Sequence, residues 1–326
     1  FTCNGVTRVV ALDPETGKQL WAFDPKSDNF STYQLNCRGV THATDPQVPA
    51  GNPCAEKIFV GTLDMRLLAL DAATGRQCAQ FGAGGIVDLR QGLGAYQRGD
   101  MAVSSPPVVI GGLIVVNARV VDNMRTDVPA GAIRAFDLAT GKLAWTWNAL
   151  PPGMADGTDG KLVRGTPNSW APMSADPALG LIYVPMGNAA PDHYGADRNG
   201  LDHYASSVVA LDAATGKVRW HFQTVHHDLW DYDLPSQPVA FDLPRSDGSV
   251  VPALAQATKQ GHLFILDRRT GQPLFPVEER PVPQTGGVPE EKLSPTQPFP
   301  ANPAFILRPA DLTEAAMHGF TPYDRN

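Results

Sequence analysis

Three carboxylates fall within six residues in His226-His-Asp-Leu-Trp-Asp-Tyr-Asp233. Such a cluster is tolerated only when it is solvated, paired or metal-bound. In an extended chain Asp231 and Asp233 project to one face and Asp228 to the other. A desolvated carboxylate here can act as a general base; the plainer alternative is a solvated acidic loop anchored by Trp230. Asn168-Ser-Trp170-Ala-Pro offers an indole that can stack on a flat ligand or plug a packing interface. Met186-Gly-Asn188-Ala-Ala-Pro and Val121-Asp122-Asn123 each present side-chain oxygen just after an apolar run. Asp122, Asn188 and Asp231 together form an all-oxygen donor set, which favours Ca²⁺ or Mg²⁺ over zinc. Arg38 and Lys259 can meet the anionic parts of a ligand, or be ordinary surface cations. His226 and His227 are adjacent, so a strand would send them to opposite sides, without the spacing of a zinc site.

These residues lie just outside a repeat that must position them. Ala11-Leu-Asp-Pro-Glu-Thr-Gly-Lys-Gln-Leu-Trp21 returns at 69–79, 135–145 and 210–220, and more weakly at 265–275. The turn glycines 17, 75, 141, 216 and 271 are spaced by 58, 66, 75 and 55 residues. Each unit reads as an apolar strand ending at an Asp whose carboxylate accepts turn N–H groups. A glycine then supplies positive φ, and a second strand runs to an aromatic residue. With the β-rich runs before most copies, each repeat is an antiparallel meander whose aromatic packs on its neighbour. Meanders stacked radially make an all-β fold, a β-propeller. The uneven steps place insertions between blades, near 146–168 and 189–204. A Pro-rich excursion spans 273–303, with nine prolines.

Composition agrees. With 31 Gly and 30 Pro in 326 residues, long helices are disfavoured, while 43% hydrophobic content suffices for a core. A formal charge of −7 argues against a nucleic-acid partner. The longest apolar run, 106–116, is broken by Gly111-Gly112 and is too short to span a bilayer. Any leader or anchor is expected outside these residues. Four cysteines permit two disulfides without dictating the pairing.

The repeats, Cys37-Arg-Gly-Val, Asn168-Ser-Trp, Met186-Gly-Asn-Ala-Ala-Pro and His227-Asp-Leu-Trp-Asp together resemble the quinoprotein alcohol and sugar dehydrogenases. Gln223 to Pro235 and Pro281-Val-Pro-Gln284 are most similar to the membrane-bound glucose/quinate/shikimate group. The resemblance runs through essentially the whole chain. It implies an eight-bladed propeller, of which 1–326 form a part with about five repeat turns. The family binds pyrroloquinoline quinone (PQQ) and a divalent cation near the axis. It oxidises an alcohol carbon and passes electrons to ubiquinone.

Carried over motif by motif, Asp231 is the catalytic base and Lys259 the cation near the quinone oxygens. Trp170 is the face on which PQQ stacks, and Arg38 meets its polar edge. Ser104 and Ser105 contact the cofactor, and Asp122 and Asn188 ligate the metal close to Asp231. The implied substrate is a secondary alcohol of a polyol, cyclitol acid or sugar. Gln34 stands where glucose-oxidising members carry His, which puts quinate or shikimate ahead of glucose. The resemblance also implies the periplasmic side of the inner membrane; there Cys37 and Cys54, 17 residues apart around a Pro-containing loop, are the expected disulfide. A non-enzymatic propeller scaffold of the outer-membrane assembly type is the alternative; it would need none of Trp170, Asp231 and Lys259. Five blades of an eight-bladed ring should bind PQQ weakly by themselves and show no substantial turnover.

Overall fold

The computed structural model describes the chain except residues 30–34, 124, 159–160, 302–312 and 314–326. Gln34 and the last proline of the excursion thus lie outside the described residues. Five antiparallel meanders follow one another along the chain, one for each repeat. Blade I comprises Thr2–Cys3, Val9–Leu12 and Gln19–Phe23; blade II Thr41–Thr44, Glu56–Gly61, Arg66–Asp71 and Ile86–Asp88. Blade III comprises Val108–Ile110, Leu113–Val116, Ile133–Asp137 and Leu143–Trp147; blade IV Ser174–Asp176, Leu181–Pro185, Ser207–Asp212 and Val218–Gln223. Blade V is Val239–Pro244, Val250–Ala257 and Leu263–Asp267. Its fourth strand shrinks to one bridge between Leu266 and Pro273, because proline cannot donate to a ladder. The chain then leaves the blade for a hairpin of Val277–Pro281 and Thr296–Pro300 inside the Pro-rich excursion.

The repeat turn is built as its sequence requires. Asp13, Asp71, Asp137 and Asp212 each accept the N–H and hydroxyl of the Thr three residues on. The following glycine adopts φ near +70° in every copy. The aromatic at the end of a repeat then docks on the glycine of the next. The Trp145 ring covers Gly216 so closely that an added Cβ would come within 2.5 Å, and its Nε1 donates to the Ala213 carbonyl at 2.9 Å. Trp21 on Gly75 and Trp220 on Gly271 repeat the contact. Blade II ends its repeat in Ala79 instead of Trp; Phe81 and Val87 cover Gly141 in its place.

The core consists of four apolar layers between successive blades. In blade II Ile58, Val60, Leu68 and Leu70 face blade I, while Phe59, Leu67 and Ala69 face blade III. This period-two division buries both faces of one sheet. Insertions from the blade ends carry short extra elements. Met101–Ala102 pairs with Arg119–Val120, and two 3₁₀ turns, Gly195–Arg198 and Leu201–Tyr204, fill the insertion near 189–204.

The disulfides differ from expectation. Cys3 pairs with Cys37 and Cys54 with Cys78, not Cys37 with Cys54. Cys3 lies on the edge strand of blade I, where the chain leaving for blade II passes it. Cys78 follows the repeat turn of blade II, and Cys54 donates its N–H to Asp71 of that same turn. Sheet pairing, not closeness in sequence, brings these thiols together.

Candidate functional site

The ends of blades II to V enclose a cavity of about 370 Å³ lined by Arg38, Arg119, Asp122, Trp170, Asp192, Asp231, Asp233 and Lys259. Five sequence-derived candidates therefore share one site: Arg38, Asp122, Trp170, Asp231 and Lys259. Trp170 is its flat wall. The Arg38 guanidinium lies 5.0 Å and Lys259 Nζ 5.7 Å from its ring centroid. Trp170 Nε1 donates to Asp233 Oδ2 at 2.7 Å, and its backbone carbonyl accepts the Ser105 hydroxyl at 2.6 Å. Ser104 takes the Arg38 guanidinium at 2.6 Å. Both serines are buried, so in this geometry they hold Trp170 and Arg38 in place.

Segment 228–233 divides its side chains. Asp231 and Asp233 point into this cavity, whereas Trp230 and Tyr232 line a larger one of about 540 Å³ on the reverse side. Asp228 is buried elsewhere. It accepts the Ser206 hydroxyl and the N–H groups of Trp230 and Tyr232 at 2.6–2.9 Å, which fixes the turn and leaves Asp231 with φ of +60°. Lys259 Nζ stands 3.1 Å from Asp231 Oδ1 and 3.9 Å from Asp233 Oδ2, and donates to the Asp231 carbonyl at 2.5 Å.

Opposite the cations stands an acidic wall. Asp122 accepts Asn168 Nδ2 at 2.6 Å, and burial together with Asp231 raises its carboxyl above the ordinary range. Burial, then the charges of Asp122, Asp233 and Asp231, push Asp192 up to about 9. Burial and Asp231 raise Asp233 to about 7, against the lowering charge of Lys259. Asn188 sits one layer behind, fully buried, with its N–H donating to Asp233 Oδ1 at 2.8 Å. Among the described residues Asp192 Oδ1 and Asn168 Oδ1 are buried oxygens without a hydrogen-bond partner, whereas Asn188 Oδ1 accepts the Ser206 hydroxyl at 3.3 Å. Among the described residues no three His, Cys, Asp or Glu side chains close on one point. The carboxylates instead ring the cavity, so a donor set here must draw on amide oxygen as well. Hard oxygen ligands, two of them buried and unmet, fit a Ca²⁺- or Mg²⁺-type cation. An indole face flanked by two cations fits a planar polyanion.

Asp192, Asp233 and Arg119 were not singled out from the sequence as site residues. Asp233 is the third carboxylate of the acidic segment and was within reach. Asp192 and Arg119 carry no local signal; they join the site through the insertion after blade IV's second strand and the short ladder before blade III's third.

Comparison with known proteins identifies the family. The model of the PQQ glucose/ethanol/alcohol dehydrogenase β-propeller domain matches residues 1–326. The glycerol dehydrogenase large subunit of Gluconobacter oxydans is 47% identical over the whole chain, which covers 44% of that protein. Quinoprotein glucose dehydrogenase A of Acinetobacter calcoaceticus is 41% identical and quinate/shikimate dehydrogenase (quinone) of Acinetobacter baylyi 39%, each over the whole chain. The chain spans 43% and 42% of those two, so less than half the length of the relatives it matches. The quinohemoprotein alcohol dehydrogenase of Comamonas testosteroni superposes with a TM-score of 0.68 at 27% identity, over 92% of this chain and 43% of that one. The chain belongs to the PQQ-dependent dehydrogenase β-propeller family.

Proposed function

We propose that this cavity holds PQQ against Trp170 and oxidises the secondary hydroxyl of a polyol, sugar or cyclitol acid, with Asp231 as general base. The observation that carries the reading is the meeting of Arg38, Lys259 and Asp231 around one indole face. PQQ supplies the two-electron acceptor, and a Ca²⁺- or Mg²⁺-type cation supplies Lewis acidity. Asp122 and Asp231 are the residues that would hold that cation, with Asp192, Asp233 and the Asn168 amide oxygen beside them; Asn188, whose oxygen takes the Ser206 hydroxyl, stands behind. Asp231 takes the hydroxyl proton at a carboxylate oxygen. Lys259, within ion-pair reach of that oxygen, holds it aimed into the cavity. Arg38, braced by Ser104, neutralises ligand carboxylate.

Substrate order follows identity. The glycerol-named relative stands at 47%, above the glucose-named at 41% and the quinate/shikimate-named at 39%, which supports a linear polyol first. The argument from Gln34 bears only on quinate against glucose. Two disulfides support an oxidising compartment, hence the periplasmic face; the quinone in the name of the quinate/shikimate relative supports a quinone, ubiquinone in this reading, as electron acceptor. A scaffold role would leave the Trp170 cavity without purpose. A dye-linked assay of the full-length protein that contains these residues, loaded with PQQ and Ca²⁺, against glycerol, longer polyols, quinate, shikimate and glucose tests the reading. Oxidation of a polyol fastest is expected; oxidation of none, with no PQQ quenching of tryptophan fluorescence, refutes it.

A further inference from the structure

His226 and His227 have no place in the cavity, yet they join three segments. Gln297, on the second strand of the 277–300 hairpin, accepts the His226 N–H at 2.8 Å and donates to its carbonyl at 2.7 Å. Glu279, on the first strand, meets His226 Nε2 at 3.1 Å. His227 Nε2 meets Glu291 Oε1 at 2.5 Å, and Nδ1 meets Asp202 Oδ2 at 2.9 Å. Two carboxylates can be satisfied together only if both ring nitrogens donate. Glu291, its side chain 3% exposed, also accepts the Gly195 N–H at 2.8 Å. The imidazole packs so tightly on Gly195 that an added Cβ would come within 2.3 Å.

Beyond Asp202 lies Arg198, fully buried. It pairs with Asp202 at 3.0 Å and donates to the carbonyls of Pro191 at 2.8 Å and Asp228 at 2.6 Å. The next residue after His227 is therefore held as well, and its carboxylate shapes the turn that ends at Asp231. We propose that the His226-His227 pair is a clasp through which the 277–300 hairpin, by Glu291 and Gln297, positions Asp231. His227 and Glu291 are positioning residues, since neither lines the cavity of Asp231. The proposal rests on Asp231 as the base.

The test compares Glu291→Ala with Glu291→Gln, whose carbonyl oxygen still accepts the Gly195 N–H and whose amide N–H can donate to Nε2 of a neutral His227. Amide exchange of the cofactor-free protein reads the clasp without turnover. Glu291→Ala should speed exchange of peptides over 226–233 roughly tenfold and lower kcat about tenfold, with KM changed less than about threefold. Glu291→Gln should recover most of both effects. Exchange and kcat of Glu291→Ala within twofold of wild type would overturn the proposal. So would exchange raised equally in the blade II strand Glu56–Gly61, which would make Glu291 a general stability residue. Asp231→Asn run alongside separates the readings: turnover retained there refutes the base, while turnover lost there with a silent Glu291→Ala refutes the clasp alone.

Discussion

Asp233 ties the cavity's acidic wall to its aromatic one, with Trp170 Nε1 on one oxygen and the Asn188 N–H on the other. Its carboxyl at about 7 and that of Asp192 at about 9 both exceed the ordinary value near 4. The folded, cation-free protein therefore binds more protons than the unfolded chain between those limits. This contribution is fully present below about pH 4 and is lost as pH rises towards 9. A divalent cation replaces those protons, so Ca²⁺ affinity of the cofactor-free protein should rise from pH 6 to 8.5. Calorimetric titration at the two values checks it; equal affinities would contradict the acidic-wall account. Lys259→Ala leaves Asp231 and Asp233 without their cation. It should weaken PQQ binding by about 1.5–3 kcal/mol, roughly 10–150-fold, read by fluorescence titration. Arg38, Asp122, Trp170, Asp231 and Lys259 were legible because their motifs are contiguous in sequence. Asp192 and Arg119 were not, since only tertiary convergence gives them a role.

At the scale of the element, tryptophan has two distinct uses. Trp145 is 9% exposed, docked on Gly216 and hydrogen-bonded across the blade interface. Trp230 is 58% exposed and stacks on Tyr232. Trp145→Ala should cost about 3–5 kcal/mol, while Trp230→Ala should stay near 1 kcal/mol or below, about the usual reach of a surface change. Denaturant midpoints of the two variants decide between them, and equal losses would contradict the docking argument. The blades were readable because Asp, Thr and Gly act within one turn and the aromatic spacing is fixed by the strand that follows. The truncated fourth strand of blade V was less so. Pro273 marks it, but whether a proline ends a strand or only its ladder depends on the partner. The His226-His227 pair likewise offered no signal, because its partners Glu291 and Gln297 lie more than 60 residues away.

For the whole molecule, the two disulfides fasten the first two blades, Cys3–Cys37 at their junction and Cys54–Cys78 within blade II. Closing loops of this length contributes about 3–4 kcal/mol each in the chain-entropy model. Peptide mapping without reductant should recover these two pairs, and reduction should lower the unfolding midpoint; a Cys37–Cys54 peptide would contradict the sheet-determined pairing. Sequence spacing favoured the nearer thiols because it does not show which edges the propeller brings together. Five blades, four interblade cores and one cavity at the blade ends together make Asp231 the atom-level claim on which the functional account depends. The most direct measurement is dye-linked alcohol oxidation by the full-length protein that contains these residues, loaded with PQQ and Ca²⁺, comparing wild type with Asp231→Asn at matched PQQ occupancy. The account predicts a loss of roughly 10²–10⁴-fold in kcat with PQQ retained. Turnover of Asp231→Asn within a few-fold of wild type would contradict it.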